Sequence, residues 1–456
     1  MTEAPTIAFQ QLTELVDNGQ RQQLRMLLND QHAADLAEWL SEMDPEHRMS
    51  CFRLLDLDNA SAVLAELELE NQRELLKNLG EIGVVPIISR MSPDDAVDLL
   101  AELPRERAKA IILQMTDLEA AEDIQELMTF KDDSAGGIMS TDYLALNAKM
   151  TVEEALNYLR EKYEHLEEEI YDVYVVDEQE HLVGRVTLRE LITAPTEALV
   201  ESVMDDNVIK VSTGIDQEQA AEKLSRYDLL TLPVVDERGR LRGIITSDDA
   251  FDVLEEEATE DIYQSSGIAS SEDSEVLTYD VPKAFRARLP WLLITLLIES
   301  GSASVINHFD DVIRQTITAA SFMPLLSGVT GSVATQSTCI IIRGTARSTV
   351  NWKIIRRNIF HELKVGMLLG ACCGLVTGVF GYFFHQSHHN LGLIVGLSLF
   401  VTMTVGVFIG TAMPLIFQRV GVEPAHASGP FITSILDVCT MTIYLTIVHT
   451  FLANIL

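Results

Sequence analysis

Apolar residues recur at three- and four-residue spacing from residue 5 to about 130, with no strand-like alternation before Tyr171, which predicts helices throughout this stretch. Three segments within it resemble one another: "HAADLAEWLSEMDPEHRMSCFRLL" from His32, "NASAVLAELELENQRELLKNL" from Asn59 and "DDAVDLLAELPRERAKAIILQM" from Asp94. Each reads as a small-residue helix, a short acidic turn and a second helix. A period of roughly 30 residues predicts a superhelical stack of helix pairs.

From Ser134 the pattern changes to two copies of a helix, strand, turn, strand, helix unit. "YVVDEQEHLVGRVT" in the first copy aligns with "PVVDERGRLRGIIT" in the second. The acidic stretch "EEEATEDIYQSSG" follows Leu254 and leads toward a long helix expected to run through Val281. Five apolar segments come last, at 290–309, 316–342, 365–385, 391–417 and 430–456, each close to or longer than the roughly 20 residues a bilayer-crossing helix needs. The expected architecture is multidomain: an α-helical superhelical N domain (1–130), an α/β tandem pair (131–254, copies at 134–196 and 197–254), a connecting helix (255–288) and a five-span α-helical membrane domain (289–456).

Charge divides the chain at the same place. From Lys283 onward there are eleven Lys and Arg against six carboxylates; of the chain's net −36, the part before Lys283 therefore carries −41. Such a field repels nucleic acid and attracts cations, divalent ones above all. Basic residues flank the first span (Lys283, Arg286, Arg288), the loop between the second and third (Arg343 to Lys364) and the end of the fourth (Arg419). They share one side if the N-terminus is inside, so five spans leave the C-terminus outside. Residues 1–20 lack the basic flank and apolar core of a signal peptide, so the acidic part is expected to stay in the cytoplasm. Cys51 stands apart and the other four cysteines lie in apolar runs, so no disulfide framework is expected.

Asp437, in "GPFITSILDVCTMTIY" of the last span, is the first candidate for ion chemistry. A carboxylate in an apolar helix with no base nearby in sequence needs a proton, a hydroxyl partner or a cation, and a symmetric pair would suit a hydrated Mg²⁺. Thr330, Ser332, Thr335, Gln336 and Ser337 interrupt the second span, either to let helices approach or to line a wet pore. Glu423, before the last span, is a pore-mouth ligand or a solvated turn beside Pro424. Glu299, midway through the first span, is a hydrogen-bond partner for another span, a pore residue or a coupling residue. His308, His385, His388 and His389 could attract softer ions such as Co²⁺ or Ni²⁺, or be solvated.

"LPVVDERGRLRGIITSDD" resembles a CBS domain, and the tandem resembles a CBS pair. Such pairs bind adenine nucleotides or serve only as dimerisation modules; in the first case Thr246 and Asp249 would meet the ribose of ATP or another adenine nucleotide. The order of helical acidic domain, CBS pair, acidic connecting helix and five spans is similar to the MgtE family of magnesium channels and transporters over essentially the whole chain. "EEEATEDI" resembles the start of that family's plug helix, "MPLLSGVTGSVATQS" stands at its Gly-Gly-Asn-x-Gly-x-Gln-Ser type motif, and "GVEPAHASGPFITSILDV" matches the segment with the pore aspartate. Thr330, Ser332 and Ala334 depart from that motif, and Glu299 is a second departure.

The resemblance implies a homodimer in the cytoplasmic (inner) membrane, in contact with lipid, that takes up Mg²⁺ without catalytic chemistry. Asp437 and Glu423 would hold pore Mg²⁺. Asp249, Asp252, Glu257, Glu260 and Asp261 would be sensor ligands, faced by Asp94, Asp95 and Asp98 of the N domain. Bound divalent cations would relieve repulsion within the acidic part and favour a compact, closed state. Two alternatives stay open: a proton- or Na⁺-coupled transporter of Mg²⁺ or Co²⁺, and a membrane-anchored CBS sensor without transport.

Overall fold

The computed structural model describes residues 20–162, 172–268, 281–345, 352–384, 389–420 and 429–451, with Leu12, Leu15, Val16, Asn18, Val422 and Pro424. It divides into two compact units, Met1–Glu255 and Glu256–Leu456.

The first unit opens with α1 (Arg21–Leu28), α2 (Ala33–Glu42), α3 (Pro45–Phe52), α4 (Leu57–Glu66), α5 (Leu69–Ile88), α6 (Pro93–Ala101), α7 (Arg105–Ile112) and α8 (Leu118–Leu127). Of the acidic turns within the repeats, the first caps a helix, Asp44 accepting from backbone N–H groups of α3, whereas α5 and α7 start after Glu68 and Pro104 without a side-chain cap; Asp56 and Asp117, between repeats, cap α4 and α8. Helices α2, α4, α6 and α8 pack each on the next, as do α1, α3, α5 and α7, which gives the two-layered stack expected from the period. Buried Arg48 ties the layers, donating to the carbonyls of Leu40 and Met43 (both 2.8 Å) and pairing with Glu74 (2.5 Å). Gly80 takes φ +67° and kinks α5, a backbone state open to glycine at little cost.

The α/β pair comprises β1 (Ala145–Asn147), α9 (Val152–Lys162), β2 (Asp172–Val176), β3 (Leu182–Thr187), α10 (Leu188–Thr193) and α11 (Val200–Val203), then β4 (Val211–Ser212), α12 (Gln217–Arg226), β5 (Thr231–Val235), β6 (Leu241–Thr246) and α13 (Ser247–Ser265). Each copy is a three-stranded sheet, β1-β2-β3 or β4-β5-β6, with its first pair parallel and its second antiparallel. The two hairpins share even their irregularity, a register shift between Val175 and Val176 and between Val234 and Val235. The first copy has its own core around Leu146, Val173, Val186 and Leu191. The second shares a core with the helical stack, in which Leu127, Ala135, Met139, Leu224 and Ile245 pack together. Tyr174, Leu182, Val235, Leu241 and Ile244 join the copies, with a 2.7 Å hydrogen bond between Tyr174 Oη and Thr231 Oγ1.

The second unit holds α14 (Val281–His308), the short α15 (Asp310–Gln315) and α16 (Ile317–Ala320), α17 (Met323–Thr345), α18 (Trp352–Phe384), α19 (His389–Val420) and α20 (Gly429–Thr450). Five helices among the described residues are long and apolar enough to cross a membrane. The expected second span from residue 316 has a break instead: α16 ends at Ala320 and α17 restarts at Met323, with Pro324, which lacks an N–H, in its first turn. Helices α18 and α19 approach backbone to backbone at glycines; a Cβ on Gly374 would lie 2.5 Å from the Gly396 carbonyl oxygen. The connecting helix also differs from its expected course. α13 continues the last helix of the second CBS-like copy without a break at 254, but it stops at Ser265, where Gly267 takes φ +76° and the N–H groups of Gly267 and Ile268 close back on Gln264 and Tyr263. Residues 269–280 lie outside the described residues.

Candidate cation pathway and acidic sensor

Asp437 lies two turns into α20, half-buried, on a helix whose flanking Leu436 and Thr440 are fully packed. α20 packs on α14, α17 and α19. Its register on α14 follows from Gly301, where a Cβ would sit 3.2 Å from Val438. That register brings Glu299 against Asp437, with the two carboxyl groups within hydrogen-bonding reach. Two bare carboxylates repel, so a proton or a cation must lie between them. Glu299 itself is exposed on the protomer, which a mid-membrane carboxylate facing lipid could not sustain.

The polar residues of α17 divide by face. Thr330 is buried and donates to Thr402 Oγ1 of α19 (3.1 Å). Ser337, also buried, donates to Glu362 of α18 (3.0 Å). Both bonds hold helices together. Ser332 and Gln336 are exposed, one turn apart, and half-buried Thr335 donates to the Gly331 carbonyl (3.0 Å). Gly429, the first residue of α20, lies between Thr335 and the carbonyl of Ser265 at the end of α13; a Cβ there would be 3.7 Å from each. Glu423, His385 and His388 lie outside the described residues, as does the side chain of His389. His308 meets Phe309 edge-on at 5.2 Å.

In the soluble unit two helix N-termini, each carrying paired aspartates, face each other. Asp94 and Asp95 occupy the first turn of α6, and Asp248 and Asp249 that of α13. Lost hydration is the main cause that raises Asp95, Asp249 and Asp252 above the usual carboxylate range, with Asp249 pushed up to about 6. Repulsion from Asp248 raises all three further, and Asp95 also acts on Asp249 and Asp252. Ser92 donates to Asp95 (2.7 Å) and Thr246 to Asp249, each opposing the rise. Asp98 is exposed one turn on from Asp94 and Asp95. On the rest of α13, Glu257, Glu260 and Asp261 are partly buried, and Gln264 donates to Glu260 (2.7 Å). No group of three or more His, Cys, Asp or Glu placed to hold a metal occurs among the described residues.

Between the CBS-like copies a small hollow is lined by Tyr174, Arg185, Asn207, Ile209, Thr231 and Pro233, with Arg185 held by Asp172 (3.0 Å). Thr246 and Asp249 are bonded to each other and do not line it.

Three carboxyls have surroundings that only the structure reveals. Asp248 was hidden among like neighbours. Glu362, buried on α18, reads in sequence as part of a basic loop rather than of a span. Glu299 stood out as an ionisable residue in an apolar run, yet only the register of α14 on α20 gives it Asp437 as partner.

These parts define a multi-pass membrane protein with carboxyl groups inside its membrane unit and an acidic, CBS-bearing soluble unit. Comparison with known proteins agrees from end to end. The MgtE intracellular N domain matches 31–133, CBS domains match 135–197 and 200–256, and the MgtE divalent cation transporter domain matches 323–447. The chain is 34% identical to the magnesium transporter MgtE of Bacillus subtilis and 35% identical to that of Thermus thermophilus, in each case over 96% of both chains. Among solved structures, the cytosolic domain of the Mg²⁺ channel MgtE in complex with ATP is 37% identical, covering 53% of this chain and 98% of its own, with a TM-score of 0.51. The soluble part of a magnesium transporter is 31% identical, covering 56% and 99%, also with a TM-score of 0.51. The chain belongs to the MgtE family of magnesium transporters.

Proposed function

We propose that this protein is a homodimeric, Mg²⁺-gated channel that carries Mg²⁺ into the cell across the cytoplasmic membrane, with its N-terminus inside and its C-terminus outside. The observation that carries the reading is Asp437, a carboxylate in the middle of the last membrane helix with no base beside it. Two copies in a dimer supply two negative charges to a cation that keeps most of its water, which suits Mg²⁺. Ser332 and Gln336 occupy the face of α17 left uncovered in the protomer, where they would line the same path, and Glu423 would stand at its mouth.

Gating follows from the facing aspartates. Asp95 on one side and Asp248, Asp249 and Asp252 on the other repel unless divalent cations sit between them; Asp94 and Asp98 add charge beside Asp95, and Glu257, Glu260 and Asp261 extend it along α13. Mg²⁺ holds ligands through its water shell, so the site needs no three-residue cluster. High internal Mg²⁺ therefore favours the compact state, and the end of α13 beside Gly429 offers a route to the pore helix. Binding of an adenine nucleotide by the CBS pair is supported by the ATP bound to the 37% identical relative. Transport, rather than catalysis, is the whole chemistry.

The test is Mg²⁺ entry into liposomes carrying the purified protein. Wild type should conduct and Asp437→Ala should not; equal flux in the two would remove Asp437 from the pore. A coupled mechanism is the second reading, favoured by Glu299 against Asp437. It requires that flux stop when the proton or Na⁺ gradient is collapsed, and comparing Co²⁺ with Mg²⁺ in the same vesicles ranks the ions.

A further inference from the structure

We propose that Glu299 is a second carboxylate ligand for the divalent cation at Asp437, with the hydroxyls of Ser302 and Ser327 completing the donor set that each protomer contributes. The inference rests on the channel reading and adds to it a ligand that is absent from the pattern the chain otherwise resembles. Its first support is the meeting of the two carboxyls across the α14–α20 contact. The second is independent of charge. Ser302 is 6% exposed and Ser327 is half-buried, and their Oγ atoms, both shut off from solvent, have no hydrogen-bond partner.

Those two hydroxyls lack the partner that other hydroxyls of the membrane unit find in their own helix or, for Thr330 and Ser337, in a neighbouring one. Ser300, Ser304, Ser332, Ser398, Thr411 and Thr442 each donate back to the carbonyl four residues earlier, the usual way to hide a hydroxyl in an apolar helix. An unpaired buried hydroxyl costs free energy, so each such group needs a partner that the protein alone does not provide.

Register places both at the level of the carboxyls. On α14, Gly301 lies against Val438, while Val305 and Ile306 pack on the core that contains Tyr444, Leu445 and Val448 of α20. Ser302 is therefore on the face toward α20, one turn beyond Glu299, and side chains on a helix lean toward its N-terminus, here toward Glu299. On the antiparallel α17, Gly331 lies 3.2 Å from Thr433 by the same Cβ measure. One turn back along α17 is Ser327, and one turn forward along α20 is Asp437.

Two carboxylates and two neutral oxygens form a hard, oxygen-only donor set whose charge balances one divalent cation. A monovalent ion would leave a net negative charge in the membrane, which disfavours it. Glu299 thus acts as a specificity-determining ligand beside Asp437.

The experiment is Mg²⁺ flux into liposomes as a function of Mg²⁺ concentration, using the full chain. Glu299→Gln keeps a hydrogen bond to Asp437 but removes the charge, and it should raise the half-saturating Mg²⁺ by about tenfold or more, as expected for loss of a charged ligand. Ser302→Ala combined with Ser327→Ala, a substitution pair that removes only unpartnered hydroxyls, should raise it by a few-fold while melting at the wild-type temperature or above. If Glu299→Gln does not fold, the serine pair decides alone. Wild-type half-saturation in the serine pair, or in Glu299→Gln, overturns the site. Flux persisting in Asp437→Ala overturns the channel reading beneath it, so the two failures are told apart.

Discussion

Asp249 sits at about 6 rather than an aspartate's ordinary 3.8, chiefly because it has lost water and secondarily because Asp248 and Asp95 repel it. A folded-state value raised above the unfolded one favours the protonated form. The stabilisation is complete below the unfolded value and is lost as pH rises through about 6. Asp44, Asp177 and Asp236 are shifted the other way, and their contribution is lost only below the ordinary carboxylate range, so it stays constant above pH 5. In Mg²⁺-free buffer the soluble region should thus melt a few degrees higher at pH 5 than at pH 7.5, and Asp249→Asn should flatten the difference. Added Mg²⁺ should stabilise more at pH 7.5, where the aspartates are ionised. Calorimetry that found no pH dependence in the wild type would mean that Asp249 is not shut off from water in solution. Single residues were only partly legible in the sequence. Asp437 and Glu299 announce themselves as charges in apolar runs, whereas Ser302 and Ser327 look like any serine that bonds to its own helix, and only the register between helices shows that they do not.

At the scale of elements, periodicity was informative wherever packing is local. The hairpin repeat at 174–187 and 233–246 becomes two sheets with identical pairing and the same bulge, and the first acidic turn of the N domain becomes a helix cap at Asp44. Helix ends set by one residue's backbone were less visible. Gly267 at φ +76° stops α13, and Gly80 at φ +67° kinks α5, although neither interrupts the apolar pattern around it. The helix contacts in the membrane unit make a sharper test. A Cβ at Gly410 would come 2.5 Å from the Ala334 carbonyl oxygen, a backbone atom of α17 that cannot turn aside. Gly410→Leu should therefore push α17 from α19 and destabilise the membrane unit by about 1–3 kcal/mol or more, the usual cost of overpacking. The detergent-solubilised protein would then melt lower, while the same change at Gly328, where nothing lies within 4 Å, should leave the melting temperature unchanged. Equal melting of the two variants would argue against the α17–α19 contact.

For the whole molecule, the division of charge between a −41 region and a slightly basic membrane third was plain from composition, because electrostatics at that scale depends on totals. What composition could not supply is which of many carboxylates confront one another. Of those, Asp95, Asp248, Asp249 and Asp252 are brought together by the shared core that docks the helical stack on the second CBS copy. Mg²⁺ should protect the stretch 249–267 of the full-length protein from protease, and neutralising Glu257, Glu260 and Asp261 together should weaken the protection. Cleavage at the same rate with and without Mg²⁺ would count against the sensor.

Among the described residues, helix α14 is the least enclosed of the five membrane helices, and its one extensive contact is with α20. The pair α18 and α19, by contrast, packs backbone to backbone at its glycines. A pull on the N-terminal end of α14 is accordingly borne along a single seam. Glu299 and Asp437 lie on that seam, so mechanical load and ionic charge meet at the same pair of side chains.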